Sequence, residues 1–205
     1  SPQSVRVAPI CLSADESRLC AEGDWTDSPR SWHALYSALD WPLKRVLTSM
    51  LGWREFDGDV QASGWINQEP GQPWIGGTTI LLDNPTLDIP RNKFRSERVH
   101  LGGGRVDVYA ELDQLRGSID MKLGEKTRIE GAVNAPRPPG VPMQDLALHG
   151  QLNGQSAELS ALPLFVPEID YSAGRLDTSV TIGGTLGQPR FNGDFAIRDG
   201  RFELY

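Results

Sequence analysis

Two cysteines, three histidines and no long apolar run leave few chemistries open to this 205-residue chain. No apolar stretch approaches the roughly 20 residues that cross a bilayer as a helix, so this stretch of chain is not expected to span a membrane. His33, His100 and His149 stand far apart, and nothing near them in sequence forms a nucleophile–base grouping. Cys11 and Cys20 have the wrong spacing for zinc and no histidine beside them. Neither a metal nor a cofactor is expected. Basic residues are the minority, 20 Lys and Arg against 27 Asp and Glu, for a net charge of −7. No basic stripe offsets that balance, which argues against a nucleic-acid partner and against docking on an anionic membrane. Gly102-Gly103-Gly104 lacks the Lys-Ser/Thr of a phosphate-binding loop, and Gly183-Gly184 opens no helix. Asp57 with Asp59, and Glu111 with Asp113, each share the outer face of a strand and read as solvated charges rather than acid–base pairs. No enzyme is expected. The chain shows no signal-peptide pattern from Ser1, and apolar alternation still runs at Phe202 and Leu204. It therefore reads as a fragment of a longer protein, with any targeting segment outside it.

What the chain has is alternation. Val106, Val108, Ala110 and Leu112 interleave with Arg105, Asp107, Tyr109 and Glu111. Successive strand side chains point to opposite faces, so this pattern makes a sheet with one apolar and one polar face. The same period sets Val60 beside Ala62, Gly64 and Ile66, and groups Ile119, Met121 and Leu123. Further along it selects Ile129 and Val133, then Leu146, Leu148 and Leu152, then Leu159. It ends with Leu176, Val180 and Ile182, then Phe191, Phe195 and Ile197, then Phe202 and Leu204. The 22 glycines and 15 prolines punctuate about a dozen such segments at roughly ten-residue spacing, which predicts an all-β chain. Three architectures satisfy one uncharged face: a sandwich, whose inner rows are an ordinary core, a closed barrel, or one long bent sheet forming an apolar trough.

The first segment reads as a hairpin. A four-residue turn at Ala14-Asp15-Glu16-Ser17 sets Ser13 opposite Arg18, Leu12 opposite Leu19 and Cys11 opposite Cys20. Opposed residues of antiparallel strands have Cβ atoms about 4.5–5.5 Å apart, close enough for a disulfide after small adjustment. The other reading is two buried free thiols. Residues 28–52 are expected to be helical. Ser28-Pro29 reads as an N-cap with proline in the first turn, and Trp32, Leu35, Tyr36 and Leu39 recur at helical spacing. Pro42 breaks the pattern, and Leu43, Val46, Leu47, Met50 and Leu51 form one side of a second short helix ending at Gly52. All six tryptophans fall within the first 74 residues, read as a small core where these helices pack on the sheet.

Later phrases carry a family resemblance. They are Gly174-Arg175-Leu176-Asp177, Val180-Thr181-Ile182-Gly183-Gly184-Thr185-Leu186-Gly187-Gln188-Pro189, Phe191-Asn192-Gly193-Asp194-Phe195 and Arg198-Asp199-Gly200-Arg201-Phe202. In that order they resemble the C-terminal domain of the TamB family. Cys11 with Leu19-Cys20-Ala21-Glu22-Gly23-Asp24-Trp25 is similar to the cysteine hairpin that opens that domain, and Trp41-Pro42-Leu43 to its helix. The resemblance implies an AsmA-like, bridge-like fold: a long, strongly curved sheet shaped as an open taco-like trough with an apolar interior. Residues 1–205 would form one domain, comprising the cysteine hairpin (1–27), the helical segment (28–52) and the strand-rich trough (53–205). It also implies a periplasmic location in an inner-membrane-anchored protein of a Gram-negative bacterium. The implied partners are phospholipid acyl chains held in the trough and an outer-membrane barrel of the TamA type. The implied work is phospholipid transport toward the outer membrane. The alternative is a scaffold whose exposed strand edges bind unfolded barrel or autotransporter strands by β-augmentation.

Overall fold

Hairpin follows hairpin along the chain, because turn residues recur just where each alternating segment ends. The computed structural model describes residues 4–27, 29–42, 56–92, 95–100, 102–123, 126–156 and 169–204. These hold twelve strands: β1 Ser4–Ala14, β2 Ser17–Thr26, β3 Ser31–Pro42, β4 Phe56–Gln68, β5 Ile75–Asn92, β6 Arg95–His100, β7 Gly104–Ala110, β8 Gln114–Leu123, β9 Thr127–Pro136, β10 His149–Ser156, β11 Ile169–Thr185 and β12 Gln188–Leu204. All pair antiparallel in one sheet, in the order β1-β2-β3-β4-β5-β7-β8-β9-β10-β11-β12, with β6 also on β5. The path does not close: β1 and β12 are its two edges. The result is one open, curved sheet rather than a sandwich or a barrel.

β5 is long enough to carry two partners end to end. Its first half, Gly76 to Leu82, pairs with β7, and its second half, from Thr86, with β6. Bulges bend the long strands. Gly58, at φ +122°, faces two residues of β5, and a Cβ there would lie 2.8 Å from the Pro85 Cα, so only glycine fits. Gly174, at φ +123°, plays the same part opposite β12, where a Cβ would meet the Arg198 carbonyl oxygen at 2.8 Å.

The cysteine hairpin forms in the expected register: Leu12 faces Leu19, Ser13 faces Arg18, and Cys11 is disulfide-bonded to Cys20 with Cα atoms 4.1 Å apart. The first expected helix does not form. Residues 31–42 are β3, paired along both sides with β2 and β4. Trp32, Leu35, Tyr36 and Leu39 do recur at helical spacing, but Trp32, Ala34, Tyr36 and Ala38 also alternate with His33, Leu35, Ser37 and Leu39. Two neighbouring strands satisfy every backbone group of the second pattern, and that pairing overrides the weak local preference. The second expected helix lies outside the described residues. Among the described tryptophans, Trp32 faces Trp25 across β2–β3, and Trp41 faces Val60 across β3–β4.

Candidate functional site

Because antiparallel partners project to the same face, the register fixes which residues share a surface. One ladder row runs Leu19, Ala38, Ala62, Ile80, Val106, Ile119, Gly131, Leu152, Val180 and Gly193, crossing ten strands. The next row on that face, two residues along, runs Ala21, Tyr36, Gly64, Thr78, Val108, Gly117, Val133, Gly150, Ile182 and Phe191. Leu12 and Ile10 of β1 extend the two rows. Neither holds a charged residue. Large and small side chains alternate along them: a Cβ on Gly150 would lie 2.5 Å from the Val133 Cγ1, and one on Gly131 would lie 2.8 Å from the Leu152 Cδ1. The branched neighbours therefore lie across the glycines and level the surface.

The row between them faces the other way. It runs Cys20, Ser37, Ser63, Thr79, Asp107, Ser118, Ala132, Gln151, Thr181 and Asn192. Ion pairs collect on this second face. Arg105 donates to Asp107 at 2.6 Å and 2.9 Å, and Arg128 donates to Asp120 at 2.9 Å and 2.8 Å. Hydrogen bonds from Arg105 and then Thr79 hold the Asp107 carboxyl below the usual carboxylate range, and Arg128 does the same for Asp120. The separation of charge to one face is thus complete along these rows.

Among the described residues little covers the apolar face. The chain exposes 13801 Å², against about 9,500 Å² for a compact monomer of 22.5 kDa. On β12, Phe191 is 68% and Phe195 72% exposed, and on β1, Leu12 is 68% exposed. The face is closed at one rim only among the described residues. There the segment 137–148 returns across the strand ends. The Arg137 side chain donates to the carbonyls of Trp74 (2.8 Å) and Glu111 (3.0 Å) and lies over the Trp74 ring at 4.9 Å. Leu186 donates to the Leu146 carbonyl, and Leu148 to that of Gly184. Leu146, Leu148 and Ala135 form a buried cluster against Leu115, Val133 and Ile182. At the far side of the sheet an open hollow of ≈480 Å³ is lined by Val5, Val7, Ile10, Leu12, Trp25 and Trp32 together with Glu22, Asp24 and His33.

Most of the expected lining falls on this face. Val60, Val106, Val108, Ile119, Met121, Ile129, Val133, Leu152, Leu176, Val180, Ile182, Phe191, Phe195 and Ile197 belong to its rows. Leu123 pairs with Thr127, Phe202 with Ser172 and Leu204 with Ile169. Leu159 lies outside the described residues. Three expectations need correction. Leu112 is not on a strand: β7 stops at Ala110, the Glu111 amide bonds to the Gln114 carbonyl, and Leu112 sits in that turn, 52% exposed. Glu111 and Asp113 flank it, so they share no strand face either, and Glu111 pairs with Arg116. Leu146 and Leu148 precede β10, and at 2% and 8% exposure they are filled core rather than open lining. The sequence reading also omitted Leu19, Trp32, Tyr36 and Ile80. Alternation in 31–42, read at period two, would have found those of β3.

Among the described residues the chain is defined by one open, curved antiparallel sheet with two uncharged rows on one face. A family model described as TamB, N-terminal domain, matches residues 1–197, and the chain belongs to that family. The match is to the N-terminal domain, which corrects the expected C-terminal one. The phrases behind that expectation are residues of β11, of β12 and of the turn between them. No curated protein and no solved structure matches the chain. Family membership associates the chain with outer-membrane assembly.

Proposed function

We propose that this chain is a conduit segment that carries phospholipid acyl chains along the apolar face, in the periplasm, as part of an inner-membrane-anchored protein. One observation carries the reading: two adjacent ladder rows cross ten strands without a charge, while the row between them, on the opposite face, is polar. Each buried CH₂ is worth about 0.8 kcal/mol. An acyl chain loses little by passing from one apolar row to the next, and needs no specific pocket to hold it. The chemistry is transfer without reaction, so no catalytic group, metal or cofactor is called for. Among the described residues no helix is long and apolar enough to cross a membrane.

The test uses neighbouring residues that face opposite ways. A photo-crosslinking amino acid at Ile119 or Val180 captures phospholipid in cells, and one at Ser118 or Ser179 does not. Equal capture from both faces, or none from either, contradicts the reading. Charge placed in the rows, as in Ile119→Asp, Val180→Asp or Phe195→Asp, abolishes transport while leaving the exposed strands folded.

A second reading rests on the edges. Among the described residues β12 forms one edge of the sheet over 17 residues and β1 the other over 11, and sheet edges template further strands. A scaffold for barrel strands, working with a TamA-type partner, would crosslink protein along the backbone of β12 rather than lipid on its apolar face.

A further inference from the structure

The polar face carries its own hollow at the rim opposite the closed one. We propose that Lys122, Lys126, Arg128 and Arg175 around this hollow form a binding site for a phosphate-bearing headgroup. The hollow measures ≈380 Å³, and Thr127, Gln155, Ser156 and Asp177 complete its wall. Four cations meet there in a chain whose acidic residues outnumber its basic ones. Elsewhere on this face both kinds of pairing occur: Arg105 faces Asp120, while Asp120 faces Glu130 and Asp59 faces Asp83. Here Lys122 faces Arg128 and Arg175 faces Arg198. Like charges directly opposite destabilise a sheet, and an anion between them removes that cost.

The nearby carboxylates do not neutralise the whole set. Asp120 is taken up by Arg128, which also lies 3.6 Å from Glu130, and Asp177 is engaged by Arg198 at 3.7 Å. Among the described residues Arg175 makes no ion pair, and Lys122 makes none either, though its charge also lowers the Asp120 pKa. Thr127 and Ser156 share a 2.6 Å hydrogen bond at the wall, placing two hydroxyls beside the cations. Such groups suit phosphate, which binds through charge-assisted hydrogen bonds. Position links the hollow to the apolar face. Met121 and Ile129 precede and follow these cations by one residue and point to the apolar side. The segment 137–148 shuts the other rim, so of the two rims it is this one that the hollow adjoins. The lipid source of the phosphate rests on the reading proposed above; the anion site itself does not.

Three probes on the full chain separate the two: dihexanoyl phosphatidylglycerol, dihexanoylglycerol and inorganic phosphate. Each is titrated against the unaltered chain and the Lys122→Gln/Arg175→Gln variant, with circular dichroism confirming the sheet. The expected result is phosphatidylglycerol binding that weakens at least about tenfold in the variant, while dihexanoylglycerol binding is unchanged. Inorganic phosphate that binds and weakens likewise, with neither lipid bound, supports the anion site and overturns the lipid reading. Phosphatidylglycerol binding equal in both proteins, or no binding of phosphatidylglycerol or phosphate to the unaltered chain, overturns the site.

Discussion

At one rim and along one edge, the same apolar face meets two fates. Under the 137–148 segment it is a core: Leu146 is 2% exposed and Ala135 1%. On β12 it is bare: Phe195 is 72% exposed and Phe191 68%. Both regions have the same strand pattern and the same alternation, so local sequence does not decide between core and open surface. What decides is whether the chain supplies a cover. At the rim a long connection between β9 and β10 does so, pinned by Arg137 to Trp74 and Glu111. Over β12 the described residues supply none. The covered rim also shows what the bare rows would resemble once an apolar partner fills them.

That contrast breaks first at Leu146. Leu146→Ala leaves a cavity in a filled cluster and costs about 2–5 kcal/mol; urea unfolding measures it. Phe195→Ala on the bare edge stays within about 0.5 kcal/mol. Equal costs at the two positions would erase the distinction. Next in size is the disulfide. Cys11 and Cys20 close a loop with a sequence separation of 9, and chain entropy gives about 2–3 kcal/mol for its loss on the double Cys→Ser change. Because β1 is an edge, the expected signature is local: amide exchange quickens in β1 and β2 and stays slow in β8 to β11. A third test sharpens the bare side. Phe191→Ser with Phe195→Ser leaves stability almost unchanged yet lowers binding of an apolar dye several-fold. The smallest effect lies on the polar face. The Asp107 carboxyl, held low by Arg105, favours the fold above about pH 4, and that contribution fades as pH falls through its depressed folded value. Arg105→Gln raises the Asp107 pKa toward its ordinary value by carboxyl NMR and trims only the acid limb of stability.

The face was legible in the sequence wherever period two stood alone. Val106 to Ala110, Ile119 to Leu123 and Leu176 to Ile182 fall where alternation places them, and the cysteine register followed from turn length. Reading failed where two periods overlapped. In β3 the apolar residues fit a helix and a strand equally, and only the strands on either side settle the matter. It failed again where a strand stops short. Nothing in Leu112 or Leu146 marks it as turn or core, since that depends on a hydrogen bond to Gln114 and on a segment crossing from β9. The family was recognisable from strand-and-turn phrases, but which of its domains was not.

The central claim is that the uncovered rows hold lipid tails. Native mass spectrometry of the gently extracted chain tests it most directly. The account predicts phospholipid adducts on the unaltered protein that disappear in Val180→Asp, with the sheet intact in both. Lipid-free protein from cells, folded and fully disulfide-bonded, would contradict it.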